Sequence, residues 1–195
     1  MEAHGGYLCR FEDVDVAWLV PVARRALEED GYPADDVSLQ ISVLSGPGLV
    51  RFSWSAPFAH GRAGARWYLS HHALARCLSE HLKTALHVYV FDPDELELVL
   101  AYGNGRKVGG EVLRYVDVEL PDDEDDAETF ERLRAKWPLG HLARVLGVSR
   151  DELIRLSGQP AALVALDRPW APQPMWQLFP EALRRGRPAP LARAG

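Results

Sequence analysis

A chain of 195 residues with 47% hydrophobic and 26% charged residues can bury one core of its own, without disulfides or a structural metal. Its formal net charge of −6 disfavours nucleic-acid binding, which needs a basic face against phosphates. Two cysteines, Cys9 and Cys77, are too few for a disulfide framework or a cysteine-built zinc site, so we expect a reducing, cytoplasmic location. We see no secretory leader and no apolar run that would span a bilayer, and therefore expect no membrane association.

The first part of the chain predicts a helix followed by a hairpin. Asp13 or Asp15 is suited to cap a helix that runs to about residue 30, and Pro21 either kinks this helix or marks its first turn. Hydrophobic and polar residues alternate over 37–44 and again over 49–55. Because a short Gly-Pro-Gly turn separates the two runs, they predict paired, half-buried strands.

The middle of the chain predicts a second helix and further strands. Residues 66–69 are suited to a short strand, and Ser70 to the cap of a helix over 71–83. Further strands are expected over 86–91, 95–102 and 108–120. Asn104-Gly105 is a strong hairpin signal between the last two.

The remainder predicts helices and a proline-rich tail. Helices are expected over 129–136, 139–146 and 150–156. Sequential hairpins favour an α+β fold, with a mainly antiparallel sheet of five to six strands and helices packed on one face. We assign residues 1–158 to this domain, and residues 159–195 to an extension that packs on it or trails from it.

Residues 139–154 look like the two-helix core of a helix-turn-helix, in which Leu-Ala-x-x-Leu-Gly-Val-Ser is a common string. Ala143 allows two helices to approach closely, Gly147 suits the turn, and Ser149 suits the second cap. A transcriptional regulator that uses residues 139–156 is therefore one alternative. The second helix would also present acidic side chains to phosphates, which favours a helix hairpin that merely packs.

Histidines in the second helix raise the question of a metal site. Because successive helix residues turn by about 100°, Cys77 and His81 are neighbours, whereas His72 and His81 lie on opposite faces. The neighbouring pair would need further ligands, such as His60 or His87. No short ligand pair of the metal-enzyme kind is present, so we expect neither a metal nor a cofactor.

Asp92-Pro93-Asp94-Glu95 lies between two expected strands. Carboxylates this close can bind a cation or act as acid and base. An enzyme with a site near Asp92 and Asp94 is therefore a further alternative, although Asp-Pro-Asp is also an ordinary turn. Since no nucleophile elbow, phosphate loop or zincin helix appears, we assign no catalytic residue.

Acidic residues are concentrated in one segment. Between Glu111 and Glu131 the chain has ten acidic residues against Arg114 alone, a net charge of −9. The segment is either a solvated loop whose acids favour the start of the next helix, or a steering surface for a basic protein. On the second interpretation the partner-binding residues are the acids Asp117, Glu119, Asp122, Asp123, Glu124, Asp125 and Asp126, with Tyr102, Tyr115 and Trp137 as aromatic anchors.

A family resemblance rests on four stretches: Trp67-Tyr68-Leu69-Ser70, Leu74-Ala75-Arg76-Cys77-Leu78-Ser79, Val88-Tyr89-Val90-Phe91-Asp92-Pro93-Asp94-Glu95-Leu96 and Tyr102-Gly103-Asn104-Gly105. Over roughly residues 66–150 the chain resembles bacterial proteins of the toxin-immunity type, with their helix, strand, Asp-x-Asp turn, strand and Tyr-x-x-Gly hairpin. The resemblance implies a small cytoplasmic protein that neutralises a cognate toxin by binding it, without catalytic residues. The leading hypothesis is therefore a non-catalytic binding module whose acidic surface meets a basic, toxin-like protein.

Overall fold

Among the residues that the structure describes, one sheet of seven strands forms the centre of the fold. A computed structural model describes residues 3–30, 38–44, 48–54, 72–118, 127–155 and 160–164. The strands are β1 (His4–Arg10), β2 (Leu39–Val43), β3 (Leu49–Trp54), β4 (Leu86–Asp92), β5 (Leu96–Gly103), β6 (Arg106–Arg114) and β7 (Ala162–Val164). Their order across the sheet is β6-β5-β4-β1-β3-β2-β7, and every neighbouring pair is antiparallel.

Helices complete the described part of the fold. They are α1 (Val16–Asp30), α2 (His72–Leu82), α3 (Ala127–Arg134), α4 (Pro138–Leu146) and α5 (Arg150–Ile154), with a 3-10 turn at Tyr115–Asp117. The predicted α+β class and the antiparallel sheet are confirmed. None of the described helices is long and apolar enough to cross a membrane.

The sheet has a core on each face. On the first face, side chains such as Tyr7, Val50 and Val88 pack with the apolar stripes of α1 and α2. On the second face, Leu8 and Tyr89 pack with residues of α4 and α5. Helices therefore lie on both faces rather than on one, because the central strands carry large apolar side chains at odd and even positions alike.

Strand β1 is the central strand, and its sequence gives little sign of this. Its Gly5-Gly6 pair is typical of a loop. In the fold, a Cβ on Gly6 would lie 2.9 Å from Cε1 of Tyr89 and 3.0 Å from the carbonyl oxygen of Phe52. The missing side chain therefore allows the Tyr89 ring to lie across the strand.

Local signals predicted several element ends correctly. The Asp15 carboxylate accepts hydrogen bonds from the amides of Ala17 and Trp18, at 2.9 and 3.3 Å, so Asp15 caps α1 and the helix continues through Pro21. Asn104 and Gly105 both have positive φ, 49° and 73°, as a tight β5–β6 hairpin requires.

Some expectations fall wholly or partly outside the described residues. The expected strand over 66–69, its neighbour Ser70 and most of the proline-rich extension are among them. Ala162–Val164, near the start of that extension, forms β7 and pairs with β2. The extension therefore begins as part of the sheet.

Candidate binding surface

The acidic segment begins at Glu111, near the end of β6, and extends to Glu131 in α3. Asp117 is exposed in the 3-10 turn that follows β6, and α3 begins at Ala127. The remaining acids proposed for the surface lie outside the described residues: Glu119, Asp122, Asp123, Glu124, Asp125 and Asp126. The structure therefore locates the two ends of the segment.

An aromatic cluster joins these two ends. The rings of Tyr115 and Trp137 lie 5.4 Å apart between centroids, and those of Phe130 and Trp137 lie 5.9 Å apart, edge to face. Arg134 lies over the Phe130 ring. Phe130 is 39% exposed and Val116 is 88% exposed. Apolar side chains thus reach solvent on both sides of the acidic segment.

Phe130 was not among the residues singled out from the sequence. It is the one aromatic residue in the otherwise polar stretch AETFERLR of α3. An aromatic side chain in a polar helix next to an acidic run is the signal that would have found it.

Tyr102 does not belong to this cluster. It is 2% exposed and lies in the core of the first face, on β5. Tyr115 follows β6 and its hydroxyl reaches Glu97, whose neighbours on the second face include Leu139 of α4. The two tyrosines therefore lie on different sides of the sheet, and Tyr102 is not available to a partner in this conformation.

Buried Glu97 holds the aromatic cluster in place. Its carboxylate accepts a hydrogen bond from the Tyr115 hydroxyl at 3.2 Å and from the Leu139 amide at 3.1 Å, and it pairs with Arg150. A carboxylate at the start of α4 is also favoured by the helix dipole. Burial, and then the charge of Glu97, raises the pKa of Tyr115, so this hydroxyl stays a donor.

The sequence suggested a different place for Glu97. In an alternating strand a glutamate usually faces solvent, whereas Glu97 is fully buried. Its partners follow it by 18, 42 and 53 positions in the chain. Sequence patterns that span a few residues cannot predict contacts between residues so far apart in the chain.

Strand β6 is an edge strand of the sheet that the described residues form, and it leads directly into the cluster. Val108 and Val112 are 70% and 60% exposed. Charged side chains on the same strand, Arg106, Lys107 and Glu111, are also exposed, and the ladder to β5 shifts register between Ala101 and Tyr102. Charges and a bulge discourage non-specific strand pairing.

The helix-turn-helix alternative depends on α4 and α5. Gly147 adopts a left-handed turn and the Ser149 hydroxyl caps α5, as the sequence predicted. However, α5 has only five residues, and Arg150 at its start turns inward to Glu97. Asp151 is exposed on this short helix, and the exposed Arg155 at its end lies beside that acid at 3.9 Å, so the two charges offset each other and the helix offers phosphates little basic surface.

The alternative site at Asp92 has the geometry of a turn. One Asp92 carboxylate oxygen accepts the Asp94 amide at 3.0 Å, and the Glu95 amide bonds to the Asp92 carbonyl. In the second helix, His81 pairs with Glu29 of α1 at 2.7 Å. Among the described residues, no three histidine, cysteine or acidic side chains are grouped as metal ligands would be.

Comparison with known proteins adds no family to these observations. No family model, curated protein or solved structure matches this chain.

Proposed function

We propose that this protein is a non-catalytic binding protein that neutralises a basic, toxin-like protein through its acidic segment. The observation that carries the proposal is the aromatic cluster of Tyr115, Phe130 and Trp137, which joins both ends of that segment. Anchors of this kind beside concentrated charge are features of protein interfaces.

The charge distribution supports a basic partner. The segment between Glu111 and Glu131 has a net charge of −9, although the whole chain has only −6. The rest of the chain is therefore slightly basic, and the acidity is local. A local field of this size speeds the encounter with an oppositely charged surface and discriminates against other proteins.

The buried support of the cluster favours binding over a merely solvated loop. Glu97 ties Tyr115 to the start of α4, next to Trp137. Anchors held in place before binding lose less conformational entropy when the partner arrives. The resemblance to immunity-type proteins supports the same function and supplies the class of partner.

The test uses the full chain as bait in a lysate of its host, followed by binding kinetics with the purified captured protein. Reversing the charge of Asp122, Asp123, Asp125 and Asp126 to lysine should slow association by about tenfold or more and flatten its salt dependence. An unchanged association rate would contradict the acidic surface.

A second pair of variants tests the apolar anchors. Val116→Ser and Phe130→Ala should each speed dissociation, because both remove exposed apolar surface beside the acids. Val43→Ser is the matched control, since Val43 is a 47% exposed valine on β2, near the opposite edge of the sheet. If Val43→Ser speeds dissociation equally, the surface beside the acidic segment has no specific role in binding.

Neutralisation needs its own measurement. The captured protein should arrest growth when it is produced alone, and co-production of this chain should restore growth. The charge-reversed chain should restore it less well. A captured protein that is harmless alone would refute neutralisation, while the kinetic results would still decide on binding.

A further inference from the structure

The outer edge of β6 presents main-chain groups that bond to no neighbouring strand of the described sheet. Just past the end of β6, the Tyr115 amide donates to the Glu95 carbonyl oxygen at 3.0 Å. In an antiparallel ladder, residues that bond to the neighbouring strand alternate with residues whose N–H and C=O groups point away from it. Counting back from Tyr115 along the ladder to β5, the groups that point away belong to Gly110, Val112 and Arg114. Such an edge is a template for another strand.

Exposed valines lie at equal intervals along this edge. Val108 and Val112 belong to β6, Val116 lies in the 3-10 turn that follows it, and all three are exposed. A single exposed apolar residue is ordinary. Three at a spacing of four residues form a pattern that is symmetrical about Val112. An isologous contact between two copies of one chain requires this kind of symmetry.

The charges of β6 select one register for such a contact. When a two-fold axis relates two identical antiparallel strands, the numbers of the residues that face each other have a constant sum. An axis at Gly110 would place Arg106 opposite Arg114 of the second copy. An axis at Glu111 would place the two Glu111 carboxylates opposite each other. Like charges in these positions destabilise strand pairs.

An axis at Val112 avoids both conflicts. It pairs Val112 with its own counterpart, and it places Val108 of each copy opposite Val116 of the other. It also brings Lys107 of each copy beside Asp117 of the other, and both of these side chains are exposed. The contact is therefore complementary in both apolar surface and charge.

We propose that β6 pairs with the β6 strand of a second copy, antiparallel and about a two-fold axis at Val112. The regular ladder would run from Gly110 to Arg114, with up to about six main-chain hydrogen bonds between the copies. Charges that discourage other strands match in this register. So narrow a contact is at the small end of protein interfaces, below about 1,200 Å², and we expect a dissociation constant in the micromolar range. The dimer does not depend on the proposed function.

The test is sedimentation velocity of the full chain from about 1 to 300 µM. The sedimentation coefficient should rise from that of a monomer towards that of a dimer. Val112→Lys places two like charges opposite each other at the axis, so it should raise the dissociation constant by about tenfold or more. Val43→Lys is the matched control, since Val43 is an exposed valine on β2, and it should dimerise like the wild type. A chain that stays monomeric, or a dimer that Val112→Lys leaves intact, would overturn the proposal.

A charge exchange at low salt tests the register. Lys107→Asp and Asp117→Lys each replace two attractive contacts with two repulsive ones, so each variant alone should dimerise about tenfold more weakly. An equimolar mixture of the two variants should restore the dimer, because the aspartate introduced in one copy meets the lysine introduced in the other. A mixture as weak as its components would contradict an axis at Val112.

Amide hydrogen exchange, followed by NMR, reports the strand pairing itself. At concentrations that favour the dimer, the amides of Gly110, Val112 and Arg114 should exchange more slowly than in the monomer. The amides of Glu111 and Leu113 point towards β5 and should change little. A dimer that forms without this alternation uses another surface, and that result would refute pairing through β6.

Discussion

The carboxylate of Glu97 on β5 pairs with the guanidinium of Arg150 on α5, with the carboxylate fully buried and the arginine side chain 10% exposed. This pair connects the sheet to the second-face helices. Because Glu97 also accepts the Tyr115 hydroxyl, the same contact supports both the fold and the proposed binding surface.

Replacing Glu97 with glutamine should therefore be costly. Glu97→Gln keeps the shape of the side chain but leaves Arg150 buried without a counter-charge, at a cost of about 3–5 kcal/mol. Urea unfolding measures this loss. Glu111→Gln is the control, since Glu111 pairs with His141 at an exposed position and should cost less than about 1 kcal/mol. Similar losses in the two variants would contradict the importance of burial.

Two glycines offer a comparison of close packing with open space. Gly6→Ala should destabilise the protein by about 1–3 kcal/mol, because its methyl group would meet the Tyr89 ring and the Phe52 carbonyl. A Cβ on Gly109 of β6 would meet no atom within 4 Å beyond its chain neighbours, so Gly109→Ala should stabilise by about 0.5 kcal/mol. Chemical denaturation of both variants checks this, and the reverse order would show that the strand packing is different.

His87 should contribute to loss of stability in acid. Burial lowers the pKa of His87, so as the pH falls below about 6.5 the unfolded chain takes up a proton before the folded chain does. That difference favours unfolding at low pH and is absent above the unfolded pKa. Glutamine does not titrate, so His87→Gln should gain stability relative to the wild type between about pH 7.5 and pH 5. Chemical denaturation of both chains at a series of pH values measures this gain. A difference in unfolding free energy between variant and wild type that does not change with pH would contradict the prediction.

The partner-binding variants should leave the fold intact. Val116 and Phe130 are exposed, so Val116→Ser and Phe130→Ala should change the free energy of unfolding by no more than about 0.5–1 kcal/mol. Circular dichroism and urea unfolding check this before any kinetic measurement. If either variant loses more stability than this, its weaker binding could be due to unfolding. The kinetic test would then depend on the charge-reversed chain.

Element types and ends were predictable where the cause is local. Alternating hydrophobic and polar residues predicted β2, β3 and β5 as strands, although every residue of β3 is buried. The cap at Ser149 and the turn at Gly147 act over a few residues. Strand β1 was missed because both of its faces are buried and two of its residues are glycines. Its place in the sheet depends on β3 and β4, which follow much later in the chain.

The candidate site divides in the same way. The acidic run and two of its aromatic neighbours, Tyr115 and Trp137, are visible in the sequence. Only the folded structure shows that Phe130 belongs to the aromatic cluster and that Tyr102 does not.

By itself the sequence determined the α+β class, the antiparallel pairing and the concentration of charge, since periodicity and composition act over short distances. The tertiary structure decided which side of the sheet each polar residue faces and which partner it meets there. Glu97 and Arg51 both lie in strands where their sequence suggests exposure, yet both are buried. The free energy of a buried charge depends on groups brought from distant parts of the chain, and these come together only in the folded protein.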